Sequence, residues 1–188
     1  MHRAAELFAQ HGYGGASVSM IAAACHISKA LLYHYYPDKE AVLFDILHQH
    51  LTQLVDVAEQ AANAPKDRLF TLCAAFLETY RGADAEHQVQ ITALKQLPAE
   101  RQEGLRALER RLVQIMSEII ADEVPGIQAG PLLKPVAMSA FGMLNWHYLW
   151  FREGKGFTRT QYARFVTNLI LSGAGKASAV IHETPQPA

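Results

Sequence analysis

Two cysteines in 188 residues rule out a disulfide framework, and Cys25 and Cys73 stand far apart. No C-x-x-C and no H-E-x-x-H occurs, so the commonest zinc signatures are missing. Asp45, His48 and His50 are the nearest approach to a ligand cluster, but His48 and His50 point to different sides of a helix. No metal and no cofactor is therefore expected. The longest apolar stretch, 132–151, is broken by Lys134, Pro135, Asn145 and His147, and nothing reads as a secretory leader or a membrane span. Charge of one sign is lacking as well: 17 basic against 18 acidic side chains give a net charge of −1 and no global basic footprint. Glycine clusters at 12–15 and 154–156 follow no strand and read as chain-turning residues rather than phosphate loops. No internal repeat is apparent, and no nucleophile–base pair stands out, so the chain reads as a non-enzyme. What remains is a chain that is 50% hydrophobic, enough for a substantial core in one or two helical domains, soluble, reduced and cytoplasmic.

The most informative stretch is 17–39, SVSMIAAACHISKALLYHYYPDK. Ser17 can cap a helix that places Val18, Ile21 and Ala22 on one face. Cys25-His26-Ile27 breaks that pattern, and Ser28 offers a second cap. Leu32 and Tyr36, four apart, face inward, while Lys29, Ala30, Tyr33 and His34 are left outward. Pro37 stops this helix and Asp38 caps the next. Two short helices joined by a three-residue turn are the helix-turn-helix layout, whose second helix lies in a DNA major groove. Ahead of it, residues 2–11 form a helix with Ala4, Leu7 and Phe8 inward, ended by Gly12.

The register of Ala4-Ala5-Glu6-Leu7-Phe8, Gly12-Tyr13, Ser17-Val18, Ile21-Ala22, Ile27-Ser28-Lys29, Leu32-Tyr33, Tyr35-Tyr36 and Lys39-Glu40 resembles the TetR family of transcriptional regulators over about the first quarter of the chain. The resemblance implies that Ser17, Ser28, Lys29, Ala30, Leu31, Tyr33, His34, Tyr35 and Lys39 meet DNA, with Ser17 and Lys39 on phosphates. Three positions depart from the family. His26 stands where glycine is usual, at a turn that needs a positive φ. Ala30 and Leu31 replace smaller or hydroxylic residues, and Leu31 can only pack on a thymine methyl. The DNA sequence read is therefore not transferable from a relative. The first fifty residues carry three cations (Arg3, Lys29, Lys39) against four anions (Glu6, Asp38, Glu40, Asp45), with six of the nine histidines beside them. The basic arm usual before the first helix does not stand between Met1 and Ala4; an absent arm and a start further upstream are both open.

Downstream, a helix over 39–62 is about 36 Å long and can serve two domains. Pro65 suits the start of the next helix, whose stripe runs Leu69, Leu72, Cys73, Phe76, Leu77, Tyr80 to the stop at Gly82. Helices follow at about 85–96 and 98–124, the latter with Arg101, Arg106, Arg110 and Arg111 opposite its apolar stripe. The stretch from Leu132 to Phe151, within a helix expected over about 132–153, is apolar nearly all round and needs a partner to cover a second face. Thr158 and Gln161 form a capping box, with Phe157 and Tyr162 as its staple, for a last helix to about Leu171.

The expected fold is all-α with about nine helices: an N-terminal three-helix DNA-binding domain with a helix-turn-helix (1–38), and a larger helical ligand-binding and dimerisation domain (39–174). The tail 175–188 reads as disordered. The last two helices suit a four-helix bundle across a two-fold axis, with Trp146, Trp150, Tyr162, Phe165, Val166 and Leu169 as contacts. The segment 141–151 further resembles a TetR subgroup that responds to acyl- or aryl-CoA. On family grounds a small hydrophobic effector would bind among Phe70, Cys73, Phe76, Tyr80, Met116, Met138, Asn145 and Tyr148. The function expected is a homodimeric, ligand-responsive repressor on a pseudo-palindromic double-stranded operator. A helical acyl-thioester binder without DNA function, and a TetR-like activator, are the alternatives.

Overall fold

The computed structural model describes residues 1–124, 127 and 130–182. Among these there is no β-strand, and the helices run α1 (His2–Gly15), α2 (Val18–Ala24), α3 (Lys29–Tyr35), α4 (Lys39–Ala62), α5 (Arg68–Thr79), α6 (Asp84–Ala93), α7 (Ala99–Glu123), α8 (Leu133–Asn145), α9 (His147–Trp150) and α10 (Arg159–His182). A 3-10 turn, Leu94–Gln96, follows α6. No described helix is long and apolar enough to cross a membrane.

The chain forms two compact units: Met1–Leu54 with Tyr80–Glu109, and Val55–Thr79 with the chain from Arg110 onward. A cut at 38/39 does not coincide with this division. The reason is non-local, because α6 packs along α1 and so joins the first unit. In that unit α1 packs on α2 and α6, and α2 packs on α3. Being flanked on two sides turns α1 so that Ala4, Ala5 and Phe8 are buried, while Leu7, expected inward, is half-buried. The helix kinks at Gly12, whose φ of 69° a side-chain-bearing residue adopts only with strain.

In the second unit α10 packs on α5 and α8. Leu69, Leu72, Cys73, Phe76 and Leu77 of α5 are fully buried there, as their spacing requires. Pro65 does not open that helix. The chain passes through Asp67 in a left-handed conformation (φ 52°), and only then does Thr71 bond back to the Asp67 carbonyl at 2.9 Å. The apolar region expected as one helix over 132–153 is broken at Trp146. Next to the break the buried His147 ring donates from Nδ1 to the Leu144 carbonyl at 3.0 Å. The capping box forms: the Thr158 amide donates to Gln161 Oε1 at 2.8 Å and the Gln161 amide to Thr158 Oγ1 at 3.2 Å. The Phe157 ring lies against Phe165, 6.1 Å between centroids. Helix α10 continues to His182, so 175–182 is helical rather than disordered. Alanines at 174, 177 and 179 supply helix propensity that offsets the glycines. Residues 183–188 lie outside the described residues.

Candidate nucleic-acid interface

The geometry of residues 17–39 follows from three local devices. The Ser17 hydroxyl accepts from the Met20 amide at 3.2 Å and starts α2. At the other end, Ile27 N–H bonds to the Ala22 carbonyl at 3.0 Å and His26 N–H to the Ala23 carbonyl at 3.1 Å. That pair of bonds is the Schellman arrangement, with His26 in its left-handed position at φ 55°. Ser28 then accepts from the Leu31 amide at 3.0 Å and starts α3. A His26→Gly variant should gain about 1 kcal/mol, because glycine carries no left-handed penalty. The check is urea unfolding, which should show a higher midpoint at unchanged slope.

Helix α3 is held by its inner face. Leu32 is buried, and the half-buried Tyr36 donates its hydroxyl to Asp45 on α4 at 2.6 Å. Burial and then the Asp45 carboxylate push the Tyr36 phenol up to about 12. Gln49 donates to the same Asp45 oxygen at 3.0 Å. This strap from the end of α3 to α4 has no signature in the sequence. On the outer face Lys29, Ala30, Leu31, Tyr33, His34 and Tyr35 are all exposed. The Lys29 ammonium stands 5.8 Å from the Tyr33 ring centre, and His34 meets Tyr35 edge-on at 5.1 Å. The Ser17 and Ser28 hydroxyls use a lone pair in capping, and each O–H can still donate.

Lys39 differs from the expectation. Its ammonium donates to the Tyr13 and Ala16 carbonyls at 2.8 and 3.0 Å and lies 4.2 Å from the Tyr13 ring centre. It clamps the end of α1 to the start of α4, which leaves one of its three N–H bonds for an outside group. Arg3 pairs with Glu6 at 3.0 Å, and Arg101 reaches Asp38 at 3.4 Å. Behind this layer His50 is buried beside His87 and Tyr80, while His48 is exposed against Phe44.

The second unit carries a different surface. Trp146, Leu149, Trp150, Phe157, Phe165 and Leu169 are each about half exposed. Tyr162 and Val166 are buried behind them, and the Tyr162 hydroxyl donates to the Met143 carbonyl at 2.9 Å. Of the residues expected around an effector, Cys73, Phe76 and Met116 are core, and Phe76 lies 5.7 Å from Phe141. Burial pushes the Cys73 thiol up to about 12, which holds it in the protonated form. Phe70 lies under the Arg164 guanidinium, 3.4 Å from its ring centre. Asn145 and Tyr148 are half-buried, and Met138 faces out. Tyr80 belongs to the first unit, against His87 at 4.1 Å. Arg111 meets Glu59 at 3.1 Å.

An all-helical chain with a capped helix-turn-helix and a second helical unit has the architecture of a helix-turn-helix transcription regulator. Residues 1–46 match the family described as bacterial regulatory proteins, tetR family, and residues 62–174 match the tetracyclin repressor-like C-terminal domain. The chain belongs to the TetR family. It is similar to a TetR-family transcriptional regulator from Bordetella parapertussis 12822, with 35% identity, 91% of each chain covered and a TM-score of 0.84. It is also similar to AibR, solved in complex with isovaleryl coenzyme A and operator DNA, with 26% identity, 89% of this chain and 94% of that one covered, and a TM-score of 0.77. A curated relative, the uncharacterised HTH-type transcriptional regulator YuxN of Bacillus subtilis (strain 168), is 49% identical over 47 residues, which are 25% of this chain and 16% of that protein.

Proposed function

We propose that the protein is a homodimeric repressor that binds a pseudo-palindromic operator and is released by a small hydrophobic effector. The observation that carries the reading is the outer face of α3, held from behind by Leu32 and Tyr36 and left open along its length. The half-exposed aromatic face of the second unit supports the dimer, since an apolar patch of that kind ordinarily has a partner. Likeness to AibR, solved with isovaleryl coenzyme A and operator DNA, supports an acyl- or aryl-CoA as effector. Phe70, Asn145 and Tyr148, which are only half-buried, are the residues proposed to touch it.

Release is a population shift. The effector prefers a conformation in which the two recognition helices no longer match successive major grooves, about 34–36 Å apart in simple dimers of this kind. Helix α4, whose residues 39–54 belong to the first unit and 55–62 to the second, carries the change. The two states must differ in effector affinity by roughly a few kcal/mol for occupancy to switch.

The test is selection of genomic fragments by the purified protein at low salt, with and without a panel of acyl- and aryl-CoA esters. A recovered palindrome, lost in the presence of one ester, is the expected result. Fragments recovered only with ester present would make the protein a ligand-dependent binder of opposite sign. A panel-wide lack of effect would remove the CoA reading.

A further inference from the structure

The outer face of α3 is chemically unusual for a reader of DNA. Residues 16–37 contain no arginine, asparagine, glutamine, aspartate or glutamate. Arginine and lysine read guanine by paired bonds, asparagine and glutamine read adenine, and the acids accept from cytosine. Of these readers α3 has only Lys29, whose ammonium is turned toward the Tyr33 ring. What the face does offer is apolar. Leu31 is 43% exposed and Ala30 stands exposed beside it. Leu31 is also well placed, because its own backbone amide is tied to the Ser28 hydroxyl. The same stretch carries exposed groups suited to a phosphate backbone: the hydroxyls of Ser17, Ser28, Tyr33 and Tyr35, and the Lys29 ammonium.

Resting on the reading of the protein as an operator binder, we infer that Leu31, with Ala30 beside it, reads thymine through its 5-methyl group. Among the base edges of the major groove, that methyl is the one apolar feature. A leucine side chain buried against a hydrogen-bonding edge instead would strip water from that edge and return nothing. The half-site is therefore expected to carry thymine where Leu31 enters the groove, and to be selected by methyl contact rather than by paired hydrogen bonds.

Uracil isolates the effect, because it differs from thymine by that methyl alone. The probe is a duplex recovered by selection from random double-stranded DNA, with each thymine of the half-site replaced in turn by uracil. Replacement at the Leu31 position should weaken binding by about three- to five-fold, and by about ten- to twenty-fold when made in both half-sites. Leu31→Ala lies on an exposed helix face and keeps helix propensity, and unchanged thermal unfolding checks that it folds. It should bind the thymine duplex more weakly and lose the thymine–uracil difference at that one position, so that the ratio falls to about one. In a C·G pair, 5-methylcytosine should bind more tightly than cytosine at the same place. Equal binding of thymine and uracil duplexes by the native protein overturns the inference. So does the same thymine–uracil ratio in the native protein and Leu31→Ala, or a recovered half-site made of G·C pairs throughout. Recovery of no duplex at low salt is a different failure: it removes the DNA reading itself, and this inference with it.

Discussion

A Phe165→Ser/Leu169→Asp double variant should be a folded monomer whose operator affinity is lower by at least about a hundred-fold. Both side chains are about half exposed on α10, and the Phe165 ring lies against that of Phe157. A carboxylate buried in an apolar contact without a partner costs several kcal/mol, enough to split a dimer that depends on this face. Folding should survive, because the inner face of α10 is a separate set of residues: Ala163, Val166, Thr167 and Ile170 are buried within the subunit. The loss on DNA comes from avidity. A dimer binds its second half-site at a high effective concentration, worth roughly 10²–10⁴ in affinity, and a monomer forfeits that factor. Sedimentation velocity and operator titration at one fixed salt concentration check both halves. A variant that stays dimeric moves the interface elsewhere on the chain. A monomer that still binds the full palindrome as tightly as the native protein removes the two-half-site picture altogether.

The helix-turn-helix was legible because each of its backbone needs falls on one local residue type. Ser17 and Ser28 cap the two helices, and the turn puts its single left-handed residue at His26, the position where glycine was missed. The start of α4 was legible for the same reason, since Asp38 supplies the cap, with its carboxylate accepting from the Ala41 amide at 2.6 Å. What escaped the sequence is non-local. Apolar periodicity shows that a helix has an inner face but not which helix lies against it, so the return of Tyr80–Glu109 to the first unit was not visible. Lys39 shows the same limit at one side chain. A lysine beside a DNA-reading helix suggests a phosphate, but the carbonyls of Tyr13 and Ala16 that take its ammonium are set by the kink at Gly12. The break at Trp146 was hidden because apolar and aromatic residues continue on both sides of it. In α10 the glycines at 173 and 175 suggested an end that the surrounding alanines override.

Acid should destabilise the unit that carries α3, and one histidine should account for about 3 kcal/mol of the loss. The histidines of the first fifty residues read as a reserve of positive charge, but His50 is only 3% exposed, its ring 5.8 Å from His87 on α6 and 6.2 Å from Tyr80. Its Nε2 has no hydrogen-bond partner among the described residues. Burial, and then the neighbouring His87, lower its pKa from 6.5 to about 4. The unfolded chain takes up this proton near pH 6.5, whereas the folded protein refuses it until about pH 4. The stabilisation is therefore fully present above about pH 6.5 and is lost progressively as pH falls to about 4, where the folded form is protonated too. A gap of roughly 2.5 units is worth about 3 kcal/mol. Carboxylates titrate in the same range, so the native curve alone does not isolate His50; the difference from a His50→Leu variant does. Urea unfolding of both between pH 7.5 and 4 should show the native protein losing about 3 kcal/mol relative to the variant, most of it between pH 6 and 4. Parallel curves would mean that His50 is not held neutral in the folded chain. Because α6 packs on α1, α1 on α2 and α2 on α3, a proton forced onto His50 acts on the same packed unit that holds α3 in place.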